Sequence, residues 1–312
     1  MSALICGSLA YDTIMVFQDR FKHHILPEKV HILNVSFLVP RMRREFGGCA
    51  GNISYGLKLL GGNPIPMATV GQDFGPYREH FRQCGIDLSR VKEIPDLFTA
   101  QAFITTDLDD NQITAFHPGA MMRSFENHVR DVPDIGFGIV GPDGYEAMLQ
   151  NCVEFAELGI PFIFDPGQAM PLYNGHELTT MIEQATYVTV NDYESNLLQD
   201  KTGLGERQIA ERVRAYIVTR GSAGSDILTP DGKTTRVPAA NPIRVVDPTG
   251  CGDAYRAGLI FGLMRGMDLA TAGRIASLMG AIKIEHLGPQ NQRFDYAEFS
   301  EQFRQQFGYA LD

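Results

Sequence analysis

Asp247-Pro248-Thr249-Gly250-Cys251-Gly252-Asp253-Ala254-Tyr255-Arg256-Ala257-Gly258 sets a Gly-X-Gly turn directly before a carboxylate. Ala254, Ala257, Gly258, Phe261 and Met264 follow at helical spacing, and Gly266 supplies a stop, so the carboxylate opens a helix. Backbone N–H groups of Gly250, Cys251 and Gly252 would converge on one spot, backed by the positive end of the helix dipole. Such a spot holds an anion. An acid beside it completes the pairing that phosphoryl transfer uses: donors for the moving phosphoryl group and a base for the attacking hydroxyl. A helix N-terminus favours an ionised carboxylate, so Asp253 is expected to have a low pKa. Arg256, one turn on, falls either near the phosphates or on an exposed face.

Working outward, the 312 residues are enough for one large α/β domain and a smaller appendage. Lys and Arg total 27 against 37 Asp and Glu, a net charge of −10 that argues against a broad nucleic-acid surface. A small anionic substrate held by a few local groups remains compatible with it. The five cysteines (Cys6, Cys49, Cys84, Cys152, Cys251) form no CxxC pair and read as reduced thiols. The start of the chain lacks a basic, then apolar, leader pattern, and the apolar run near Gly258–Met264 is too short to span a bilayer. A cytoplasmic protein with no membrane partner is expected.

Short apolar runs alternate with helical patterns. Leu4–Cys6, Met67–Val70, Phe137–Val140, Phe162–Phe164, Tyr187–Val190 and Tyr216–Val218 each end in a polar or glycine residue. Helical patterns at Tyr145–Leu158 and Ala270–Ile284 lie between or beyond them. This alternation predicts an α/β fold with a doubly wound, mainly parallel sheet, whose ligands bind beyond the carboxyl ends of the strands. Two segments break the pattern. Residues 13–46 carry strand-like runs at Thr13–Phe17 and Val35–Val39, and residues 98–118 carry Ala100–Thr105 and Gln112–Phe116 around Asp107–Asn111, a predicted β-hairpin. Together they would form a small inserted β-sheet, leaving 1–12, 47–97 and 119–312 as the large domain.

Further constellations sit at these strand ends. Gly47-Gly48-Cys49-Ala50-Gly51-Asn52 precedes a helix, and its small side chains suit either the close approach of a ligand or a close helix–sheet contact. Asn52 can donate and accept toward sugar hydroxyls, and Asp12, after the first strand, can accept from a vicinal diol. Asn191-Asp-Tyr-Glu194 is both a capping-box pattern and a candidate metal site. Thr219-Arg-Gly221-Ser-Ala-Gly224 suits either a phosphate-side loop or a hairpin turn.

The 247–253 string resembles the second signature of the ribokinase-like (PfkB) family of carbohydrate and nucleoside kinases, with Cys251 in place of the usual Ala. The 47–52 string resembles its first signature. The resemblance covers nearly the whole chain and implies an ATP-dependent kinase with a small β lid over the substrate. It assigns the catalytic base to Asp253 and the anion hole to Gly250, Cys251 and Gly252. It carries sugar contacts to Ser8, Asp12, Gly48 and Asn52, and nucleotide contacts to Asn191, Thr219, Gly221, Gly224 and Arg256. Glu194 would organise Mg²⁺ through water, and Asp247, Thr249 and Gly288 would hold a monovalent cation such as K⁺.

Within the family, Thr105-Thr-Asp, Phe116-His-Pro-Gly-Ala-Met121, Asp165-Pro-Gly-Gln168 and Gly252–Gly258 resemble the bacterial adenosine kinases. That implies transfer to the 5′-hydroxyl of adenosine, with Gln168 bordering the substrate. Phe103 and Phe116, on the two hairpin arms, could face one side and sandwich a purine, at about 1–3 kcal/mol per stacked base, or simply form a cross-strand pair. A ribokinase- or fructokinase-like sugar kinase is the alternative. Relatives that pair through the lid allow a homodimer.

Overall fold

The computed structural model describes residues 1–25, 34–109 and 111–311. The part of the expected lid at 26–33 and the hairpin-tip residue Asp110 lie outside the described residues. The first strand, β1 (Ser2–Cys6), sits inside a nine-stranded sheet and runs parallel to both its neighbours. On one side lie β4 (Pro64–Gly71) and β5 (Val91–Ile94). On the other come β8 (Ile135–Val140), β9 (Phe162–Phe164), β10 (Tyr187–Asn191) and β11 (Ala215–Thr219), all parallel. An antiparallel pair, β12 (Ser225–Leu228) and β13 (Thr234–Val237), closes that edge.

Strand residues point alternately to the two faces, and both faces are covered. Ala3 and Ile5 join a core with α1 (Cys49–Leu59), α7 (Cys251–Met264), α8 (Leu269–Ile284) and α9 (Tyr296–Phe307). Leu4 and Cys6 join the opposite core with α3 (Tyr145–Glu157), α4 (Gly175–Gln184) and α5 (Asp192–Thr202). Tyr77 and Phe81 of α2 (Gly75–Gln83) form a third, smaller core with Ala68 and Val70 of β4, and the short α6 (Glu206–Ala210) leads into β11. The doubly wound, mainly parallel fold read from the sequence is therefore present, and the parallel run places its strand carboxyl ends along one edge.

A separate four-stranded sheet has the order β3 (Arg41–Gly47), β2 (Ala10–Val16), β6 (Ala100–Thr106), β7 (Gln112–His117). Two details differ from the expectation. Val35–Val39 forms no strand; Pro40 follows it, lacks a donor, and the ladder starts at Arg41. In addition, β2 begins at Ala10 and β3 ends at Gly47, so residues 10–12 and 47 are strand residues of the small sheet.

Helix α7 lies directly on α8 because two of its glycines leave room. A Cβ on Gly258 would sit 2.7 Å from Ala276 Cα, and one on Gly262 would sit 2.7 Å from Ala272 Cα. Gly258→Leu is expected to force the helices apart, at about 1–3 kcal/mol or more, read as a lower urea midpoint with an unchanged m-value.

Candidate active site

Gly250 adopts a left-handed φ of +80°, and a Cβ there would lie 2.7 Å from the Pro289 Cβ. Both facts require glycine. Helix α7 starts at Cys251, so Asp253 occupies its third position rather than opening it. The Cys251 N–H turns back onto the Pro248 carbonyl at 3.1 Å. The anion hole expected from three amides is thus left with Gly250 and Gly252, which donate to no protein acceptor among the described residues.

The Asp253 carboxylate is half-buried and accepts a hydrogen bond from Asn52 Nδ2 at 2.8 Å. Its expected low pKa is overturned. Burial pushes it up to about 6, against the Asn52 hydrogen bond and the Arg256 charge, with Asp165 and Asp12 pushing further up. Desolvation outweighs the helix dipole here. Asn52, the expected sugar contact, holds the Asp253 carboxylate through its amide. Its oxygen accepts from Gln290 Nε2 at 3.0 Å, and the same nitrogen donates to the Tyr77 hydroxyl at 2.7 Å. Tyr77 donates onward to the Gly47 carbonyl at 2.7 Å, and His80 Nε2 donates to Gln290 Oε1 at 3.0 Å. Sequence reading missed Gln290, Tyr77 and His80, since no motif joins residues more than 200 positions apart.

Arg256 is neither exposed nor free to meet a phosphate. Its guanidinium is buried and donates to both Asp165 oxygens, at 2.5 and 2.9 Å, and to the Gly252 carbonyl at 3.1 Å. It also stands 3.9 Å from Glu194 Oε2. The pair joins α7 to the carboxyl end of β9. Glu194 and Asn191 form the expected reciprocal cap of α5, at 2.8 Å each way. Burial, and then Asp165, raise the Glu194 pKa. Glu194 Oε1 accepts nothing from the protein among the described residues. Thr219 is level with Asn191 on the adjacent strand. Gly221 and Gly224 lie in the hairpin from β11 to β12, where Gly224 has φ +90° and a Cβ would meet the Val237 carbonyl at 2.1 Å.

Asp12, on β2 of the small sheet, stands close enough to Asp253 to raise its pKa. It accepts no hydrogen bond from the protein among the described residues, and burial, with Glu45 and Asp247 nearby, raises its pKa to about 6. Gly47 makes room for it: a Cβ would lie 2.5 Å from Asp12 Oδ2. Gly48, at φ +83°, lies against the Ser8 carbonyl. Ser8 Oγ accepts from the Cys49 N–H at 3.3 Å. Gln168 is exposed beside the end of β9.

The two phenylalanines are not brought together. Phe116 is opposite Ala102 and Phe103 is opposite Ala115. Side chains alternate along a strand, so the rings are on opposite faces of the sheet. Asp12 is level with Ala102, which places Phe116 on the Asp12 face and Phe103 on the other.

The monovalent-cation residues do not fit an ion. The Asp247 carboxylate accepts the N–H groups of Thr249, at 2.9 Å, and Gly288, at 2.8 Å. The Asp247 main-chain carbonyl is taken at 2.7 Å by the Lys283 ammonium. Among the described residues, no group of three or more His, Cys, Asp or Glu forms a metal cage. Glu194, with one free oxygen, fits a magnesium ion held through water.

Residues 9–294 match the family model described as pfkB family carbohydrate kinase. The chain belongs to the PfkB family. A nucleoside kinase of Methanocaldococcus jannaschii is 33% identical over 268 residues, 84% of this chain and 87% of that protein. A Burkholderia thailandensis nucleoside kinase, solved in complex with inosine, superposes with a TM-score of 0.91 at 54% identity, covering 99% of both chains. A Thermotoga maritima ribokinase, at 21% identity and a TM-score of 0.80, shares the fold. This PfkB member is a kinase.

Raised acids make two outcomes testable. Turnover should fall as pH drops through about 6, with an apparent midpoint belonging to Asp253 and Asp12 jointly, read from a pH–rate profile. The ionised form of Asp253 is disfavoured by folding. Asp253→Asn should therefore melt higher than wild type at pH 8, and the gap should begin to narrow below about pH 6 and be lost as the pH approaches the ordinary aspartate value of 3.8. The same variant should lose more than about 10²-fold in kcat while still binding the acceptor.

Proposed function

We propose that the chain is an ATP-dependent nucleoside kinase that phosphorylates the 5′-hydroxyl, with adenosine as preferred acceptor. The observation that carries the reading is the raised Asp253 carboxylate beside the two free amides of Gly250 and Gly252. Asp253 accepts the hydroxyl proton; a pKa near 6 leaves it ionised at neutral pH and a better base than an ordinary aspartate. The amides meet charge on the transferred phosphoryl group. Asp12, with no protein donor among the described residues, accepts from the ribose hydroxyls. Phe116, on the same face, offers an apolar ring to the base, and Gln168 a side-chain amide with no hydrogen-bond partner among the described residues. Phe103 is left out of the acceptor pocket.

Asn191, Thr219 and the Gly221–Gly224 hairpin border the ATP side. Magnesium, held through water at Glu194, would neutralise phosphate charge. The small sheet is proposed as a lid, bounded by 13–46 and 98–118 together with the strand residues 10–12 and 47. Its other face leaves Met42, Phe103 and Ile113 exposed, at 69%, 40% and 43%, a patch that a second copy would cover. Five free cysteines and a need for ATP favour the cytoplasm.

An ADP-release assay across adenosine, inosine, guanosine, ribose and fructose tests the reading. Adenosine is expected to show the highest kcat/KM and the free sugars at least about 10²-fold less, because each leaves the base contacts unmade. Strong turnover of a free sugar with none on nucleosides overturns it.

A further inference from the structure

We infer that Lys283 is the resident cation of the turn before Asp253, a tethered ammonium standing where a free monovalent ion would otherwise sit. The residue lies in the apolar run Ala281-Ile282-Lys283-Ile284, in the last turn of α8, and is fully buried. A lysine is retained in an interior only when its charge is met. Nζ donates to the Asp247 carbonyl at 2.7 Å and to the His286 carbonyl at 3.1 Å. It also complements the negative end of the α8 dipole.

A bound metal ion needs several oxygens facing one point. Here the inward carbonyls already face an ammonium. The Asp247 carboxylate is covered by two backbone N–H groups, and Arg43 Nη2 stands 3.7 Å away. An ammonium carries the charge of a potassium ion at much the same size, but it is covalently tied and its hydrogen bonds are directional.

The tie acts on the anion-binding turn. The N–H groups of Val246 and Asp247 both donate to the Ile284 carbonyl, at 2.8 and 3.1 Å. Lys283 adds a third link from α8 to the residue that begins the turn and a link to the loop that supplies Gly288 and Pro289. Pro289 lies against Gly250. The aim of the Gly250 and Gly252 amides is therefore set by the chain itself. Lys283 is a positioning residue, and no exchangeable ion is required.

The test uses the full chain in tetramethylammonium buffer, titrated with KCl or NaCl. Adenosine phosphorylation, melting temperature and ²⁰⁵Tl⁺ NMR line width are followed in parallel. Only the activity arm rests on the proposed nucleoside reading. Wild type is expected to change less than about twofold in kcat between no potassium and saturating potassium, with no potassium-specific melting shift and no Tl⁺ broadening. Lys283→Met, which keeps the stem and removes the charge, is expected to lose about ten- to a hundredfold in kcat through misplacement of the amides, with nucleoside KM little changed. Lys283→Ala should recover part of that rate with potassium or ammonium and acquire a potassium-dependent melting shift. Saturable potassium activation of wild type beyond about tenfold, or Tl⁺ binding to it, overturns the inference, as does normal turnover by both variants. If the variants fail to fold, the wild-type arms still decide. If no acceptor is turned over, the nucleoside reading fails while the melting and Tl⁺ arms still report on Lys283.

Discussion

The bidentate pair between Arg256 and Asp165 is the interaction on which the site depends. It fastens the first turns of α7 to the carboxyl end of β9 across 91 residues of sequence. The same guanidinium holds the Gly252 carbonyl, so one side chain shapes both the helix start and the turn. Breaking one partner of such a buried pair leaves the other charge uncompensated, at about 3–5 kcal/mol. Because the pair is close to neutral, it leaves burial as the dominant influence on the neighbouring Asp253.

This arrangement explains why the Asp253 carboxylate is tuned upward in a place where a helix terminus alone would tune it downward. Asp253 has one strong donor, Asn52, whose own oxygen is held by Gln290. The network fixes direction and leaves the charge only partly satisfied. The cleft is also rich in acid: Asp12, Asp253 and Glu194 all have raised pKa values. Arg256 is not free to offset an incoming polyphosphate.

Much of the fold was legible in the sequence because parallel strands buried on both faces are continuous apolar runs, and their polar endings mark the functional edge. The glycine turn was legible because positive φ and close contact both demand glycine at Gly250. What escaped was long-range or energetic. Nothing local in the sequence joins Arg256 to Asp165, or Asn52 to Gln290. The pKa of Asp253 depends on how much protein surrounds it, which a helix position does not report. Whether Phe103 and Phe116 share a face turns on one residue of hairpin register, because one residue reverses a face, and composition alone does not fix that register. Val35–Val39 has strand composition but is followed by Pro40. Lys283 did leave a trace, a lone charge inside an apolar helical run, whose meaning needed the facing carbonyls.

Asp12 belongs to the small sheet and Asp253 to a helix on the large one, joined nearby by the short link Gly7-Ser8-Leu9 and by Gly48. Neither sheet contains both carboxylates. The distance between them is thus a property of the joint, not of either core. Better packing within one body can raise resistance to heat while leaving the rate untouched, and a change in the link can alter the rate in a chain that melts normally.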